Sequence, residues 1–179
     1  MKKILAFGAS SSQKSINKTF AEFAANQLTG IEIKLIDLND YEMPIFSVDR
    51  EDENGIHQLA YQFKNEIIDC DGIIISFAEH NGAYSAAFKN IFDWSSRINV
   101  KVFRDKPLLL MATSPGGMGG QFVLSAGEQR FSRHGASDIV TFSLPSFYDN
   151  FKDGKITGED LLIALKEQVN TFEKLVNEQ

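Results

Sequence analysis

Gly72-Ile73-Ile74-Ile75-Ser76-Phe77 runs straight into Ala78-Glu79-His80-Asn81-Gly82-Ala83, and Pro107-Leu108-Leu109-Leu110-Met111-Ala112 into Thr113-Ser114-Pro115-Gly116-Gly117-Met118-Gly119-Gly120. In both places a short, continuous apolar run stops at a polar loop that carries glycine. A strand with one wet face alternates apolar and polar residues, whereas a strand covered on both faces is apolar throughout. These two runs therefore read as central strands of a parallel sheet.

The neighbouring segments fit that frame. Ile4–Phe7 and Asp138–Leu144 are further strand candidates, and Ile31–Ile36 alternates Ile31, Ile33 and Leu35 with Glu32 and Lys34, which places it nearer an edge. Between the runs lie helical periodicities: Ile16, Phe20, Phe23 and Ala24; then Leu59, Phe63, Ile67 and Cys70; then Tyr84, Ala87, Phe88, Ile91 and Trp94. A fourth helix is expected from about Gly120 to His134. A last one, Gly158 to Asn177, aligns Leu161, Leu165, Val169, Phe172 and Leu175. Strands alternating with helices predict an α/β fold, a parallel sheet covered on both faces through right-handed crossovers. No repeat or linker divides the chain, so residues 1–179 are read as a single domain. The longest stretch without periodicity is Asn39 to Asn54, expected to be an irregular loop that is functional, an interface segment or a plain surface excursion.

Composition narrows the functional classes. With 43% hydrophobic and 23% charged residues, disorder is excluded. Eighteen Lys and Arg against 24 Asp and Glu give a net charge of −6, which repels a nucleic-acid backbone or an anionic membrane. A local phosphate site is compatible with that charge. The single cysteine, Cys70, rules out an internal disulfide or a thiolate cluster and suits a reducing cytoplasm; placed just before a core strand, it reads as a small buried hydrophobe. Met1-Lys2-Lys3 starts like a signal peptide, but the apolar run ends at Gly8, and no segment approaches the roughly 20 apolar residues of a membrane span. A cytoplasmic protein is expected.

Ligands of open α/β sheets bind beyond the carboxyl ends of the strands. Three loops leave such ends. Gly8-Ala9-Ser10-Ser11-Ser12-Gln13-Lys14-Ser15-Ile16-Asn17 offers small residues, hydroxyls and the N-terminus of a helix, all suited to a phosphate. The same residues also serve as a plain helix cap, with Ser12 or Ser15 at the N-cap. The loop after Phe77 provides Glu79 and Asn81 as polar contacts to a ligand's edge. The loop after Ala112 has four glycines in five residues, letting a flat ligand rest on bare amides, though flexible turns use glycine too. GxxxxGK[ST] and GxGxxG are both absent, which disfavours nucleotide hydrolysis and a dinucleotide site of the usual Rossmann form. GxSxG and HExxH are absent as well, so neither a nucleophile-elbow hydrolase nor a zinc site is supported, and no metal is expected.

Taken together the three loops resemble the NADPH-dependent FMN reductases, a flavodoxin-like group that includes azo, quinone and chromate reductases. Gly8, Ser10, Ser15 and Asn17 match that family's GSxRxxSxN phosphate segment. Glu79-His80-Asn81-Gly82 continuing to Phe88-Lys89-Asn90-Ile91-Phe92-Asp93-Trp94 is similar to its PEYNxxxxxxLKNxxDW signature. Ser114 to Gly120 resembles its glycine-rich flavin loop, and Met43-Pro44-Ile45-Phe46 its apolar segment after the second strand. The resemblance implies a flavodoxin-like three-layer sandwich with a five-stranded parallel sheet in the order 2-1-3-4-5, binding FMN between the subunits of a homodimer or homotetramer. It assigns Ser10, Ser15, Ile16 and Asn17 to the phosphate, Glu79, His80, Asn81 and Gly82 to one edge of the isoalloxazine, and Ser114, Gly116 and Gly117 to the other. It places Lys89, Asn90, Asp93 and Trp94 on a helix that helps form the subunit interface. Three departures stand out, the first being that the phosphate loop is one residue longer than the family's. The arginine of the phosphate loop is replaced within Ser11-Ser12-Gln13, leaving Lys14 as the cation, and the signature's proline and tyrosine are Ala78 and His80.

The activity implied is electron transfer from NADPH or NADH through FMN to a quinone, azo compound or similar small acceptor. Because the cofactor carries that chemistry, no acid–base dyad is demanded of the protein, and no catalytic residue is assigned. Two alternatives fit the same residues: a flavin-binding electron carrier without efficient NAD(P)H turnover, and a flavin-free, anion-binding interaction protein. The segment Phe147-Tyr148-Asp149-Asn150-Phe151 is read as a lid, an interface or a packed loop.

Overall fold

The computed structural model describes residues 1–179. In chain order it contains β1 (Lys3–Ala9), α1 (Ile16–Ala25), β2 (Glu32–Leu35), α2 (Val48–Asn54), α3 (Gln58–Ile68) and β3 (Gly72–Phe77). A hairpin of β4 (Glu79–His80) and β5 (Ala83–Tyr84) precedes α4 (Ala86–Ile98), β6 (Lys106–Thr113), α5 (Gln121–Phe131) and β7 (Ala136–Leu144). The chain closes with α6 (Phe147–Asn150), a second hairpin of β8 (Phe151–Lys152) and β9 (Lys155–Ile156), and α7 (Glu159–Glu178).

The five long strands pair in the order β2-β1-β3-β6-β7, all parallel. That is the expected 2-1-3-4-5 order. β3 and β6 are buried at every position but Lys106, as their continuous apolar runs require, and the alternating strand β2 sits at the edge. Alternate residues divide between two cores. Leu5, Phe7, Ile73, Ile75, Phe77, Leu108 and Leu110 face the layer of α3, α4 and α5. Ile4, Ala6, Ile74, Leu109 and Met111 face α1 and α7. The first core is rich in phenylalanine: Phe131 lies 4.6 Å from Phe103, 5.3 Å from Phe92 and 6.0 Å from Phe77, centroid to centroid. Burying each ring is worth about 1.5–3 kcal/mol. On α7 the buried stripe is Leu165, Val169, Phe172 and Val176; spacings of four, three and four carry the inward face past Leu175, which is only half-buried.

Three segments differ from the sequence expectation. Asn39–Asn54 is not one irregular loop: a 3-10 turn spans Leu38–Tyr41 and α2 spans Val48–Asn54. Helix α2 buries none of its residues, so it leaves no apolar stripe for periodicity to detect. Tyr84, expected on the third helix, belongs to β5, because Ser85 caps α4 by accepting the Phe88 N–H. Phe147–Asn150 is a short helix whose Phe147 packs on Phe151, ring centroids 4.9 Å apart.

Candidate functional site

All three loops emerge at the carboxyl edge of the sheet. The first is shaped by Gly8. A Cβ there would lie 2.3 Å from the backbone nitrogen of Lys18 and 2.6 Å from its Cα, so only glycine lets α1 pass so close to β1. Ser15 is the N-cap, its hydroxyl oxygen accepting the Lys18 N–H at 3.1 Å. With Thr19 N bonded to the Ser15 carbonyl, the amides of Ile16 and Asn17 are the donors of the first turn that have no protein acceptor. Ser10 Oγ accepts the Ser12 N–H at 3.1 Å. Both Ser10 and Ser15 therefore keep a hydroxyl proton to donate.

The Asn17 side chain has a different task from its backbone. It is 2% exposed; Oδ1 accepts from Ser76 Oγ at 2.7 Å and from Thr113 N at 3.1 Å, while Nδ2 donates to the Thr113 carbonyl at 3.2 Å. This amide ties α1 to the ends of β3 and β6, and only its backbone N–H is open to a ligand. Thr113 Oγ1 in turn donates to the Leu144 carbonyl at 2.7 Å, extending the tie to β7.

The second loop is a tight hairpin. Asn81 and Gly82 have φ of 53° and 75°, the pair of positive values that a two-residue type I′ turn requires, and Asn-Gly is its favoured sequence. Glu79 turns inward: its Oε2 accepts the Val123 N–H at 2.9 Å, capping α5, whose own N-cap Gly120 has no side chain to do so. His80, Asn81 and Gly82 are exposed at the rim.

In the third loop the glycines differ. Gly119 and Gly120 are buried with φ of 57° and 75°, and a Cβ on Gly119 would lie 2.4 Å from Ser143 Oγ. Gly116 and Gly117 are exposed with negative φ. A Cβ on Gly117 would meet nothing within 4 Å, and one on Gly116 only Ser114 Oγ at 4.0 Å. No packing inside the chain demands glycine at those two positions. The loop backbone is nonetheless anchored, since the Gly116 carbonyl accepts from Ser146 N at 3.0 Å and the Ser114 carbonyl from Phe147 N at 3.0 Å.

The helix bearing Lys89, Asn90, Asp93 and Trp94 also works inside the chain. Asn90 accepts the Phe46 N–H at 2.8 Å and donates to the Met43 and Pro44 carbonyls, and Trp94 Nε1 donates to the Pro44 carbonyl at 2.8 Å. Lys89 pairs with Asp93 at 2.7 Å, one turn along α4. Two motifs some 45 residues apart thus form one strap, with Phe46 edge-on to Trp94 at 5.1 Å.

A cleft of about 230 Å³ gathers Ser10, Ser15, Ile16 and Asn17 with Glu79, His80 and Ser114. Asn81, Gly82, Gly116 and Gly117 lie outside its lining, on the loops that border it. Thr113 and Tyr148 line it as well, neither of them among the residues expected to touch the cofactor. Thr113 opens the third loop at the end of β6, and Tyr148 arrives from α6, which only the fold brings to this edge. Lys14, exposed and in no ion pair, is the cleft's one cation. Lys18 is held by Asp37 at 2.5 Å. Cys70 plays no part: it is 3% exposed, and burial pushes its thiol up to about 11, so it is neutral at pH 7. His134 is buried elsewhere, its Nδ1 2.9 Å from the Val100 carbonyl, so the histidines do not assemble a dyad.

Similarity to known proteins points the same way. The fold superposes on the flavoenzyme NAD(P)H:(acceptor) oxidoreductase FerB of Paracoccus denitrificans with a TM-score of 0.77 at 21% identity, covering 99% of this chain and 98% of that one. An azoreductase of Bacillus anthracis str. Sterne gives 0.63 at 16% identity, covering 97% and 100%. In sequence, a 2-hydroxy-1,4-benzoquinone reductase of a Burkholderia species is 26% identical over 166 residues, 90% of this chain and 86% of that protein. A quinone reductase of Escherichia coli (strain K12) is 29% identical over 79 residues; the match spans 44% of this chain and less than half, 42%, of that relative. Residues 2–149, which carry all three loops and the α4 strap, match the family model of the NADPH-dependent FMN reductases, and the chain belongs to that family.

Proposed function

We propose that this protein is an FMN-dependent NAD(P)H oxidoreductase that passes electrons to a quinone, an azo compound or a similar small oxidant. The observation that carries the reading is the convergence, at the carboxyl edge of β1, β3 and β6, of three loops separated by up to about 100 residues, in a cleft whose donors suit a phosphate.

The residues fit FMN. The free amides of Ile16 and Asn17, the hydroxyls of Ser10 and Ser15, and Lys14 would hold the phosphate. The α1 dipole adds roughly half a positive charge at that point. The one carboxylate in the cleft, Glu79, is turned to the Val123 amide, where it caps α5. A cleft of about 230 Å³ is smaller than pockets that enclose a whole ligand, so the rest of the cofactor falls to the open rim of His80, Asn81, Gly82, Gly116 and Gly117. Gly116 and Gly117 leave backbone within reach of a flat ring. When bound, FMN supplies hydride acceptance from the nicotinamide and delivery of electrons to the oxidant. The chain positions it: the Asn17 network fixes the phosphate loop, Glu79 fixes the hairpin against α5, and the exposed rim leaves room for a second planar molecule.

A homodimer or homotetramer is part of the proposal. Helix α2 buries no residue; its first residue, Val48, is 59% exposed, and Ile45 just before it is 74% exposed. Next to them runs a largely apolar groove of about 370 Å³, lined in part by Leu38, Met43, Ile45 and Ile91. With one buried thiol and no helix long and apolar enough to cross a membrane, a cytoplasmic setting is the natural one.

The test begins with purified protein and added FMN. Bound flavin with quenched fluorescence is expected, followed by bleaching under anaerobic NADPH or NADH and reoxidation by a quinone. A protein that leaves FMN fluorescence unchanged would sink the flavin reading. Flavin that binds but stays oxidised under either nucleotide would leave an electron carrier. Light scattering reads the assembly, and a monomer at micromolar concentration would overturn that part.

A further inference from the structure

The phosphate donors named above, Ser10, Lys14, Ser15 and the amides of Ile16 and Asn17, all belong to one loop and the helix it opens. A phosphate group presents three strong acceptor oxygens, so a donor on a second wall of the cleft has work to do. That wall is made by Thr113, Ser114, Pro115 and Tyr148. Most of its side chains have nothing to give. Thr113 Oγ1 donates its proton to the Leu144 carbonyl at 2.7 Å, Ser114 Oγ donates to the Gly116 carbonyl at 3.2 Å, and Pro115 carries no donor.

Tyr148 is brought to this wall by a segment braced on two sides. The Ser146 and Phe147 amides donate to the Gly116 and Ser114 carbonyls, both at 3.0 Å, which ties α6 to the glycine loop. Phe147 is 6% exposed in the core shared with α1, and Phe151 meets Phe23 of α1 edge-on at 5.3 Å. Ser146 holds a left-handed φ of 47°, and Asn150 Nδ2 donates to the Pro145 carbonyl at 2.8 Å. Tyr148 Oη takes part in none of these bonds. Its ring rests edge-on against Phe147 at 5.6 Å and stays 63% exposed, so the core has no need of it. The backbone is fixed while the phenol is free, the combination that suits contact with a ligand.

We propose that Tyr148 is a further positioning residue for the cofactor, its hydroxyl donating to the FMN phosphate from outside the phosphate loop. The inference rests on the flavin reading and adds a donor from α6 to it. The phosphate would then be shared between the first turn of α1 and the segment after β7, two elements that α6 already joins.

Flavin titrations of the intact protein, read by fluorescence quenching, test this. Tyr148→Phe keeps the ring and removes only the hydroxyl; it should raise the FMN Kd about tenfold, the size expected for one hydrogen bond to a charged group at a partly open site. Tyr148→Ala should raise it at least as much. Riboflavin, which lacks the phosphate, should not distinguish Tyr148→Phe from the unaltered protein, and the thermal midpoint of the flavin-free protein should be the same in all three. Equal FMN affinity in Tyr148→Phe would overturn this inference while leaving the flavin reading intact. So would a riboflavin loss as large as the FMN loss, or a lowered flavin-free midpoint in Tyr148→Phe, which would make the hydroxyl structural. Failure of the unaltered protein to bind FMN would sink the flavin reading, and this inference with it.

Discussion

The floor and the rim of the cleft are built from similar residue types but differ in what those residues already do. On the floor three polar side chains are occupied and one glycine is fixed by packing: Asn17 serves Ser76 and Thr113, Thr113 serves Leu144, Glu79 serves Val123, and Gly8 makes way for α1. On the rim, Lys14 has no counter-ion, and Gly116 and Gly117 occupy space that no neighbour claims. Residues spent on the fold cannot also be spent on a ligand. The contrast separates positions that shape the site from positions available to bind.

The comparison can be broken from the floor first. Gly8→Ala drives a Cβ into the backbone of Lys18, which no rotamer relieves, and should cost about 3 kcal/mol or more. A denaturant midpoint equal to that of the wild type would refute the close approach of α1. Asn17→Ala removes both partners of Thr113's peptide groups and the acceptor of Ser76, and should cost about 2–3 kcal/mol. Asn17→Asp confounds two effects, placing a charge near the phosphate while losing the Nδ2 donor, so its FMN affinity must be read beside its unfolding curve.

Rim substitutions should behave in the opposite way. Lys14→Gln is expected to weaken FMN about tenfold at low salt, with a smaller effect at high salt and an unchanged thermal midpoint. Calorimetric titration at two ionic strengths checks this, and a stability loss without an affinity loss would place Lys14 with the floor. Gly117→Ala should shift stability by less than about 0.5 kcal/mol. Any FMN weakening it brings therefore comes from the ligand.

The smallest effect concerns pH. Burial acts to raise the Asp37 carboxyl, but the hydrogen bonds from Lys18 and the Asn39 amide outweigh it and hold the group below its ordinary value. A carboxylate depressed in the folded state contributes stability at neutral pH and loses it as pH falls from the unfolded value through the folded one. Asp37→Asn should therefore flatten the acid limb of the unfolding profile, detectable below about pH 4. An acid limb identical to the wild type's would show that the Lys18–Asp37 pair adds nothing.

Some of this was legible in the residues. Continuous runs such as Ile73-Ile74-Ile75 announce a strand buried on both faces, because an all-apolar strand has no other stable surroundings. Alternation marked Ile31–Ile36 as an edge. Asn81-Gly82 carries a hairpin signal, but the strands it joins are two residues each, too short to show a period of their own. Helix α2 was illegible because it buries nothing, although Ser47 before Val48-Asp49-Arg50-Glu51 is a capping sequence. The α4 signature appeared as an interface helix, whereas Asn90 and Trp94 also strap Met43–Phe46 to their own chain.

By itself, then, the sequence determined the five strands of the main sheet, the place of the loops at their ends and the family, because apolar periodicity and short motifs are local properties. Only the tertiary structure decided which polar side chains were left for a ligand. Asn17, Ser76 and Thr113 meet across 96 residues, and whether an amide is free or spent depends on partners that local sequence cannot name.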